Sequence, residues 1–197
     1  MDLVQKANSL LEDEVFDFEI LGFVSSSGKV YKLKTDTKVL SALFEILSED
    51  FVDKLSEGHE VVQPEKQNYY PDFTIKTPEG NIAIDVKTTY KQRTNGFTLG
   101  SYTSFIRSNT KNIVYPYDTY NKHYVLGFIY ERDPSGSTPY KNVEVFFQEK
   151  WKIAGKRPGS GNTKNIGSIK GNIDTFKNPE PAFNSHEEFE DYWRNYE

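Results

Sequence analysis

Three charged side chains in one short stretch have the types and spacing needed for metal-assisted hydrolysis. Twelve residues separate Asp72 from Asp85, and Lys87 lies two positions further on. A few carboxylate oxygens, with room for water and phosphate, form the ligand set that Mg²⁺ takes in proteins. A lysine beside such a metal can orient water and stabilise charge on a phosphate. The pattern indicates phosphodiester hydrolysis, and the alternative is a cross-strand cluster of ion pairs on a solvated face.

A β-hairpin over residues 69–90 would bring these side chains together. Its two extended runs flank a turn over residues 77–81 that contains Pro, Glu, Gly and Asn. If the turn centres at its second and third residues, Asp72 faces Asp85, whereas a small shift moves it nearer Lys87. Side chains two residues apart on a strand project from the same face, so Asp85 and Lys87 share one face.

The clearest helix is predicted over residues 37–56, where apolar residues recur at helical spacing. Thr35 or Asp36 can cap its start, and Gly58 is a plausible stop. Glu45 lies on the border of the apolar stripe. Its carboxylate can therefore reach either solvent or a neighbouring site.

The remaining pattern mixes strands and helices. A short helix is predicted over residues 2–14, a hairpin within 15–34, and strands over 124–130 and 143–148. A capping box at 185–188 begins a C-terminal helix. We therefore expect an α/β fold, with a mixed β-sheet flanked by helices and a catalytic β-hairpin, in a single domain over residues 1–197.

Charge is distributed unevenly along the 197 residues. The chain has 24 basic and 29 acidic residues, a net charge of -5, which by itself disfavours a nucleic-acid partner. Residues 150–178, however, hold seven basic residues and one acidic residue. This segment could meet a polyanion or could be a solvated loop.

Several compositional features exclude other classes of protein. The absence of cysteine excludes disulfides, cysteine-ligated zinc and thiol nucleophiles. Neither a signal peptide nor a membrane-spanning apolar run is apparent, so a cytoplasmic protein without a membrane partner is expected. His59, His123 and His186 are scattered without a spacing that suggests a metal site, and we expect them to be structural or exposed.

Longer stretches of the chain resemble a known family. Pro71-Asp72 followed by Asp85-Val86-Lys87 matches the PD-(D/E)xK pattern of a nuclease superfamily, a short pattern that many chains match by chance. Matches to the EcoRV family of type II restriction endonucleases are more specific and extend over nearly the whole chain. They include residues 36–41 and 44–45, 67–68 and 70–74, 82–90, 102–107 and 109–116, 159–163 and 165–169, and 191–197.

The resemblance implies roles for the catalytic residues. Asp72 and Asp85 would be the metal-binding carboxylates, and Lys87 the active-site lysine. Glu45 would be an additional acid from the helix, near a second metal or reached through water. Mg²⁺ is the implied cofactor, with Mn²⁺ able to replace it.

The resemblance also implies two loops that read DNA, near residues 66–70 and 159–165. The second would enter the major groove, where glycine permits close approach and asparagine can pair with adenine; by composition alone it is a flexible loop. Its implied DNA-binding residues are Gly159, Gly161, Asn162, Thr163 and Asn165. Gln67 and Asn68 would approach the minor groove. Contacts to the DNA backbone are implied for Thr37, Lys38, Thr88, Ser104 and Lys111.

By the same resemblance, the substrate would be double-stranded DNA at the palindrome GATATC, cut at the central TA step to leave blunt ends. A palindrome fits a two-fold homodimer. A DNA methyltransferase of the same specificity would be the cellular companion.

The chain departs from the family pattern in several places. Lys66, Tyr69 and Lys164 replace family residues in the two loops. The connection over residues 131–140 is shorter than in the family, and the family continues beyond Glu197 into a basic tail. Two alternatives therefore stay open: a nuclease of the same superfamily without this sequence specificity, and a DNA-binding protein with weakened or lost cleavage.

Overall fold

A computed structural model describes residues 2–13, 20–159 and 164–197 of the chain. The helices of the described residues are α1 (Leu3–Asp13), α2 (Thr37–Leu47), α3 (Glu49–Ser56), α4 (Lys150–Ile153), α5 (Ile173–Lys177) and α6 (His186–Arg194). The strands are β1 (Gly22–Val24), β2 (Val30–Lys32), β3 (Val61–Val62), β4 (Phe73–Thr77), β5 (Gly80–Tyr90), β6 (Thr98–Ser101), β7 (Tyr120–Arg132), β8 (Tyr140–Glu149), β9 (Ala154–Pro158) and β10 (Asn165–Ser168). A single π-helical turn spans Thr103–Arg107. The predicted mixture of strands and helices is confirmed.

A mixed five-stranded sheet forms the centre of the fold, in the order β3-β4-β5-β7-β8. Only β5 and β7 run parallel, and the other neighbours are antiparallel. A three-stranded sheet has the order β6-β10-β9, and β1 pairs with β2. The expected mixed α/β sheet flanked by helices is therefore present.

The predicted hairpin forms with a tighter turn than the sequence suggested. Phe73 pairs with Ile84 and Thr77 pairs with Gly80, so two residues connect the strands. Gly80 has φ of 131°, a conformation that L side chains rarely adopt. This register places Asp72 opposite Asp85, as the centred turn predicted.

Side chains alternate between the two faces of each strand in the central sheet. Both faces are buried because an apolar layer packs against each of them. On β7, Leu126 and Phe128 face the layer of α1, α2 and α3, where Phe44 stacks on Phe128 with ring centroids 4.8 Å apart. Val125 and Ile129 face the opposite layer, which includes Trp193 of α6. The β4–β5 hairpin is thus held between two packed apolar layers.

The prediction of one continuous helix over residues 37–56 is wrong in one respect, because the segment forms two helices, α2 and α3, that meet at Ser48. Asp36 caps α2 by accepting bonds from Lys38 N and Val39 N. Ser48 donates its hydroxyl to the Phe44 carbonyl at 2.6 Å and is buried. A serine that bonds four residues back competes with the helical ladder and bends the helix.

No helix in the described ranges is long and apolar enough to cross a membrane.

Candidate active site

Asp72 lies at the start of β4, where its carboxylate turns toward the neighbouring strand. Its Oδ2 accepts a hydrogen bond from the Val86 backbone amide at 2.6 Å. Burial and the nearby Asp85 carboxylate raise the pKa of Asp72 from 3.8 to about 8, although Lys87 opposes the change. Two carboxylates therefore compete for one poorly solvated space, and one lysine does not fully compensate them.

Lys87 pairs directly with Asp85 in the same cluster. The Lys87 ammonium lies 2.6 Å from Asp85 Oδ2 and donates to the Val86 carbonyl at 3.2 Å. Burial disfavours charge on this lysine, but the Asp85 and Asp72 carboxylates outweigh burial and raise its pKa. Lys87 is therefore a cation beside the two acids at neutral pH.

Glu45 of α2 reaches the same cluster from the adjoining layer. Burial raises the pKa of Glu45, Lys87 lowers it and Asp85 raises it, which identifies both as its electrostatic neighbours. A concave surface beside them is lined by Glu45, Gln67 and Asp72. Glu45, at the border of its helix, thus faces the site, where its side chain is half-buried.

The donor set fits a small divalent cation. Asp72, Asp85 and Glu45 are electrostatic neighbours, and Lys87 is the cation paired with Asp85 among them. Burial is the main cause of the raised pKa values of Asp72 and Glu45, and Asp85 adds to it. Hard cations such as Mg²⁺ take carboxylate oxygens and water. These residues could hold such an ion, and its charge would let the carboxylates ionise.

Thr88 connects strand β5 to α2. Its Oγ1 lies 2.7 Å from Ser41 Oγ, one helical turn before Glu45. Thr37 and Lys38 are exposed in the first turn of the same helix. This contact holds α2 against β5, and it therefore fixes the position of Glu45 relative to Thr88.

The predicted reading loop is described only at its base. Gly161, Asn162 and Thr163 lie outside the described residues. Gly159 N donates to the Asn165 carbonyl at 2.9 Å, which closes the base of the loop between β9 and β10. A side chain on Gly159 would meet Thr98 Oγ1 at 3.0 Å, so glycine suits this crowded position.

A concave surface adjoins this loop base and carries positive charge. Lys156, Arg157 and Lys170 line it together with Gly159. These three cations belong to the basic segment over residues 150–178. The surface supplies the charge and the shape that a polyanion requires.

The other predicted DNA-facing residues lie on separate loops. Gln67 and Asn68 are exposed in the segment before the hairpin, and Lys111 is exposed in the loop after the π-helical turn. Ser104 lies in that turn, where its backbone amide donates to Ser101 Oγ at 3.2 Å. All of them are at least partly accessible to a ligand.

Lys150 is a buried cation that the sequence did not single out. It is 1% exposed and lies 4.4 Å above the ring of Tyr70, the residue before Pro71-Asp72. Burial lowers the pKa of Lys150 to about 8, while Asp85 raises it and Lys87 lowers it. Lys150 therefore lies within electrostatic reach of both Asp85 and Lys87.

Two of the three histidines meet in space, contrary to the expectation that they are scattered. His123 of β7 and His186 of α6 stack with ring centroids 5.8 Å apart, and Glu190 lies beside His186. His59 is exposed elsewhere. The spacing of His186 and Glu190 on one helix was visible in the sequence, but the approach of His123 depends on the tertiary fold.

The family model described as "Restriction endonuclease EcoRV" matches residues 14–197. The type II restriction enzyme EcoRV of Escherichia coli is 46% identical over 220 residues, which cover 100% of this chain and 90% of that protein. Among solved structures, the NlaIV restriction endonuclease superposes with a TM-score of 0.57 at 18% identity, covering 96% of this chain and 76% of that chain, and so supports the fold. The chain therefore belongs to the EcoRV family of type II restriction endonucleases, which are site-specific nucleases.

Proposed function

We propose that the chain hydrolyses phosphodiester bonds of double-stranded DNA in a Mg²⁺-dependent reaction at the Asp72–Asp85–Lys87 cluster. The observation that carries the proposal is the Asp85–Lys87 ion pair beside Asp72, which lines one concave surface with Glu45, in a member of this family. A bound cation would favour the ionised forms of Asp72 and Glu45, the two carboxyls whose pKa values are raised. One domain over residues 1–197 would carry both the catalytic cluster and the DNA-reading loops.

Each side chain of the cluster has a distinct task in this proposal. A bound Mg²⁺ would supply Lewis-acid stabilisation of charge on the scissile phosphate. Asp72 and Asp85 hold the cation, and the Val86 amide fixes the Asp72 carboxylate by its 2.6 Å hydrogen bond. Lys87 positions the attacking water and neutralises charge that develops on the phosphate. Glu45 supplies a further acceptor for water or a second cation.

GATATC is the proposed recognition sequence, with a blunt cut at the central TA step. Gly159, Gly161, Asn162, Thr163 and Asn165 would read the outer bases in the major groove, and Gln67 and Asn68 would approach the minor groove. The central step would be read through its deformability, because TA steps kink readily. Thr37, Lys38, Thr88, Ser104 and Lys111 would contact the phosphate backbone and fix the register without reading bases.

A homodimer would match the two-fold symmetry of this site. The β1–β2 hairpin supports it, since Phe23, Val24, Val30 and Tyr31 are 52–69% exposed on a two-stranded sheet. Exposed apolar patches mark surfaces that bind other proteins. Val24→Asp should shift the molar mass in sedimentation toward the monomer, and an unchanged mass would exclude the hairpin as the interface.

Digestion of a sequenced plasmid in Mg²⁺, followed by mapping of the ends, tests the proposed specificity. Discrete fragments with blunt ends at GATATC are expected. Discrete fragments with other ends would refute the sequence assignment and keep the nuclease, whereas a smear would favour a nuclease without site specificity. Binding of GATATC DNA without cleavage in Mg²⁺ or Mn²⁺ would favour the DNA-binding alternative.

The cellular setting follows from the proposed substrate. An enzyme that cuts GATATC needs its own genome protected, so a methyltransferase that modifies the same sequence would accompany it. Both proteins would act in the cytoplasm, where the DNA lies.

A further inference from the structure

Three potential metal ligands come together at the junction of β7 and α6, away from the catalytic carboxylates. Nitrogen atoms of His123 and His186 and a carboxylate oxygen of Glu190 all lie within 4.8 Å of one another. None of these residues belongs to the Asp72–Asp85–Lys87 cluster. Metal binding at this junction would be independent of the proposed nuclease reaction.

His123 is buried with one ring nitrogen held and the other free. It is 3% exposed, and its Nδ1 lies 2.7 Å from the Tyr70 hydroxyl. Its Nε2 is buried and has no hydrogen-bond partner within the part of the chain that the structure describes. A metal-binding histidine usually has its second ring nitrogen fixed by an outer partner, and Tyr70 provides that partner here.

His186 and Glu190 present their donors from one face of α6. Residues four apart on a helix are neighbours on its surface. His186 Nε2 lies 3.4 Å from Glu190 Oε1, and this nitrogen also has no hydrogen-bond partner among the described residues. Two buried imidazole nitrogens without partners therefore point into one space that a carboxylate borders.

The geometry allows an ion to enter with small movements. Tetrahedral zinc with bonds of about 2.0–2.1 Å holds its ligand atoms roughly 3.3 Å apart. This separation is shorter than the 4.8 Å within which the three ligand atoms lie here. His186 and Glu190 have side chains 26% and 22% exposed, so they can rotate inward and leave a path for the ion. Arg194 lies 3.7 Å from Glu190 Oε2. Part of this ion pair would be lost when the carboxylate turns toward the metal.

The chemistry of the donors selects a transition metal over Mg²⁺. Imidazole suits zinc, cobalt, nickel and copper, whereas carboxylate and water suit magnesium. Burial, with Lys150 and His186, lowers the pKa of His123 well below its usual value, so its imidazole is neutral. The positive charge of Lys150 would repel a metal ion bound at His123. The negative charge of the Glu190 carboxylate would compensate this repulsion.

We propose that His123, His186 and Glu190 form a second metal site, for Zn²⁺ or a related transition metal, that fastens α6 to the central sheet. The ion would join α6 to β7. It would add to the existing contact of α6 with Tyr102, on whose ring the Trp193 ring packs with centroids 5.0 Å apart. Tyr102 precedes the π-helical turn that carries Ser104. Because only the folded chain assembles the site, the ion stabilises that chain.

The test is metal binding to the full chain after a chelator has stripped it. Co²⁺ is titrated and its visible absorption recorded, and Zn²⁺ affinity is measured against a coloured chelator, both in excess Mg²⁺ to occupy the carboxylate centre. One equivalent per chain is expected, with the absorption of nitrogen-ligated cobalt. Zn²⁺ should also raise the unfolding midpoint of the wild-type chain.

Matched variants locate the ion. His186→Ala and Glu190→Gln should each weaken Zn²⁺ binding by more than about tenfold and remove the stabilisation. His59→Ala and Glu187→Gln alter exposed residues of the same types and should bind like the wild type. The proposal is overturned if the wild type takes up neither metal, or if the first two variants bind as tightly as the two controls. Loss of the bound ion in Asp85→Ala alone would assign it to the catalytic carboxylates instead.

Discussion

Asp72→Asn should make the metal-free protein more stable at alkaline pH. Burial and Asp85 raise the pKa of Asp72 from 3.8 to about 8. A carboxyl whose pKa is higher in the folded chain favours folding at low pH, and this contribution is lost as pH rises through the folded pKa. Wild-type stability should therefore fall between about pH 4 and about pH 8 through this group, and the asparagine variant should lack that decline.

The magnitude follows from the displacement of this pKa. At about 1.36 kcal/mol for each tenfold change in proton affinity, the change from 3.8 to about 8 sets an upper limit of about 6 kcal/mol. Burying the replacing amide costs about 1–3 kcal/mol, and the opposing charge of Lys87 reduces the remainder. We expect Asp72→Asn to exceed the wild type by about 1–3 kcal/mol near pH 8.5 and by nothing near pH 5.5.

Urea unfolding with a chelator present, followed at both pH values, measures this difference. Added Mg²⁺ should restore the wild type near pH 8.5 and leave Asp72→Asn unchanged, because the variant has lost a ligand. Asp53→Asn removes an exposed acid of the same type and should follow the wild type. Equal pH dependence of the wild type and Asp72→Asn without metal would refute the view that the carboxylates are crowded.

Three further predictions concern chemistry, DNA contact and the core. Lys87→Ala should slow single-turnover cleavage by at least about 10²-fold while DNA binding in Ca²⁺ stays constant, and equal rates would remove this lysine from the reaction. Replacing Lys156 and Arg157 together with alanine should weaken binding to all duplexes and lower the salt slope by about two in fluorescence anisotropy; an unchanged slope would contradict it. Phe44→Ala, which empties a buried stack on β7, should cost about 3–5 kcal/mol in urea unfolding, and a loss below about 1 kcal/mol would show that the core refills the space.

The sequence predicted the β4–β5 hairpin well because its determinants are local. A turn of Thr77-Pro78-Glu79-Gly80 between two alternating runs defines the pairing, and Phe73 does pair with Ile84. The approach of Glu45 was only partly predictable. Its edge position could be read from helical spacing, but the side that it faces depends on how α2 packs on β5.

Other features depended on contacts that sequence spacing does not reveal. The division into two helices falls at Ser48, whose hydroxyl bonds the Phe44 carbonyl, within an otherwise regular helical pattern of apolar residues. His123 and His186 meet because β7 and α6 pack together, with more than sixty residues between them. Lys150 follows an alternating strand pattern, and its burial above Tyr70 is set by neighbouring layers.

Cleavage by Asp85→Ala tests most directly whether the hairpin cluster is the catalytic metal centre. A duplex containing GATATC is cut under single-turnover conditions in saturating Mg²⁺, and its binding is measured in Ca²⁺. We predict a rate at least about 10³-fold below the wild type, with binding retained. Cleavage by Asp85→Ala at the wild-type rate would contradict the assignment of the catalytic site.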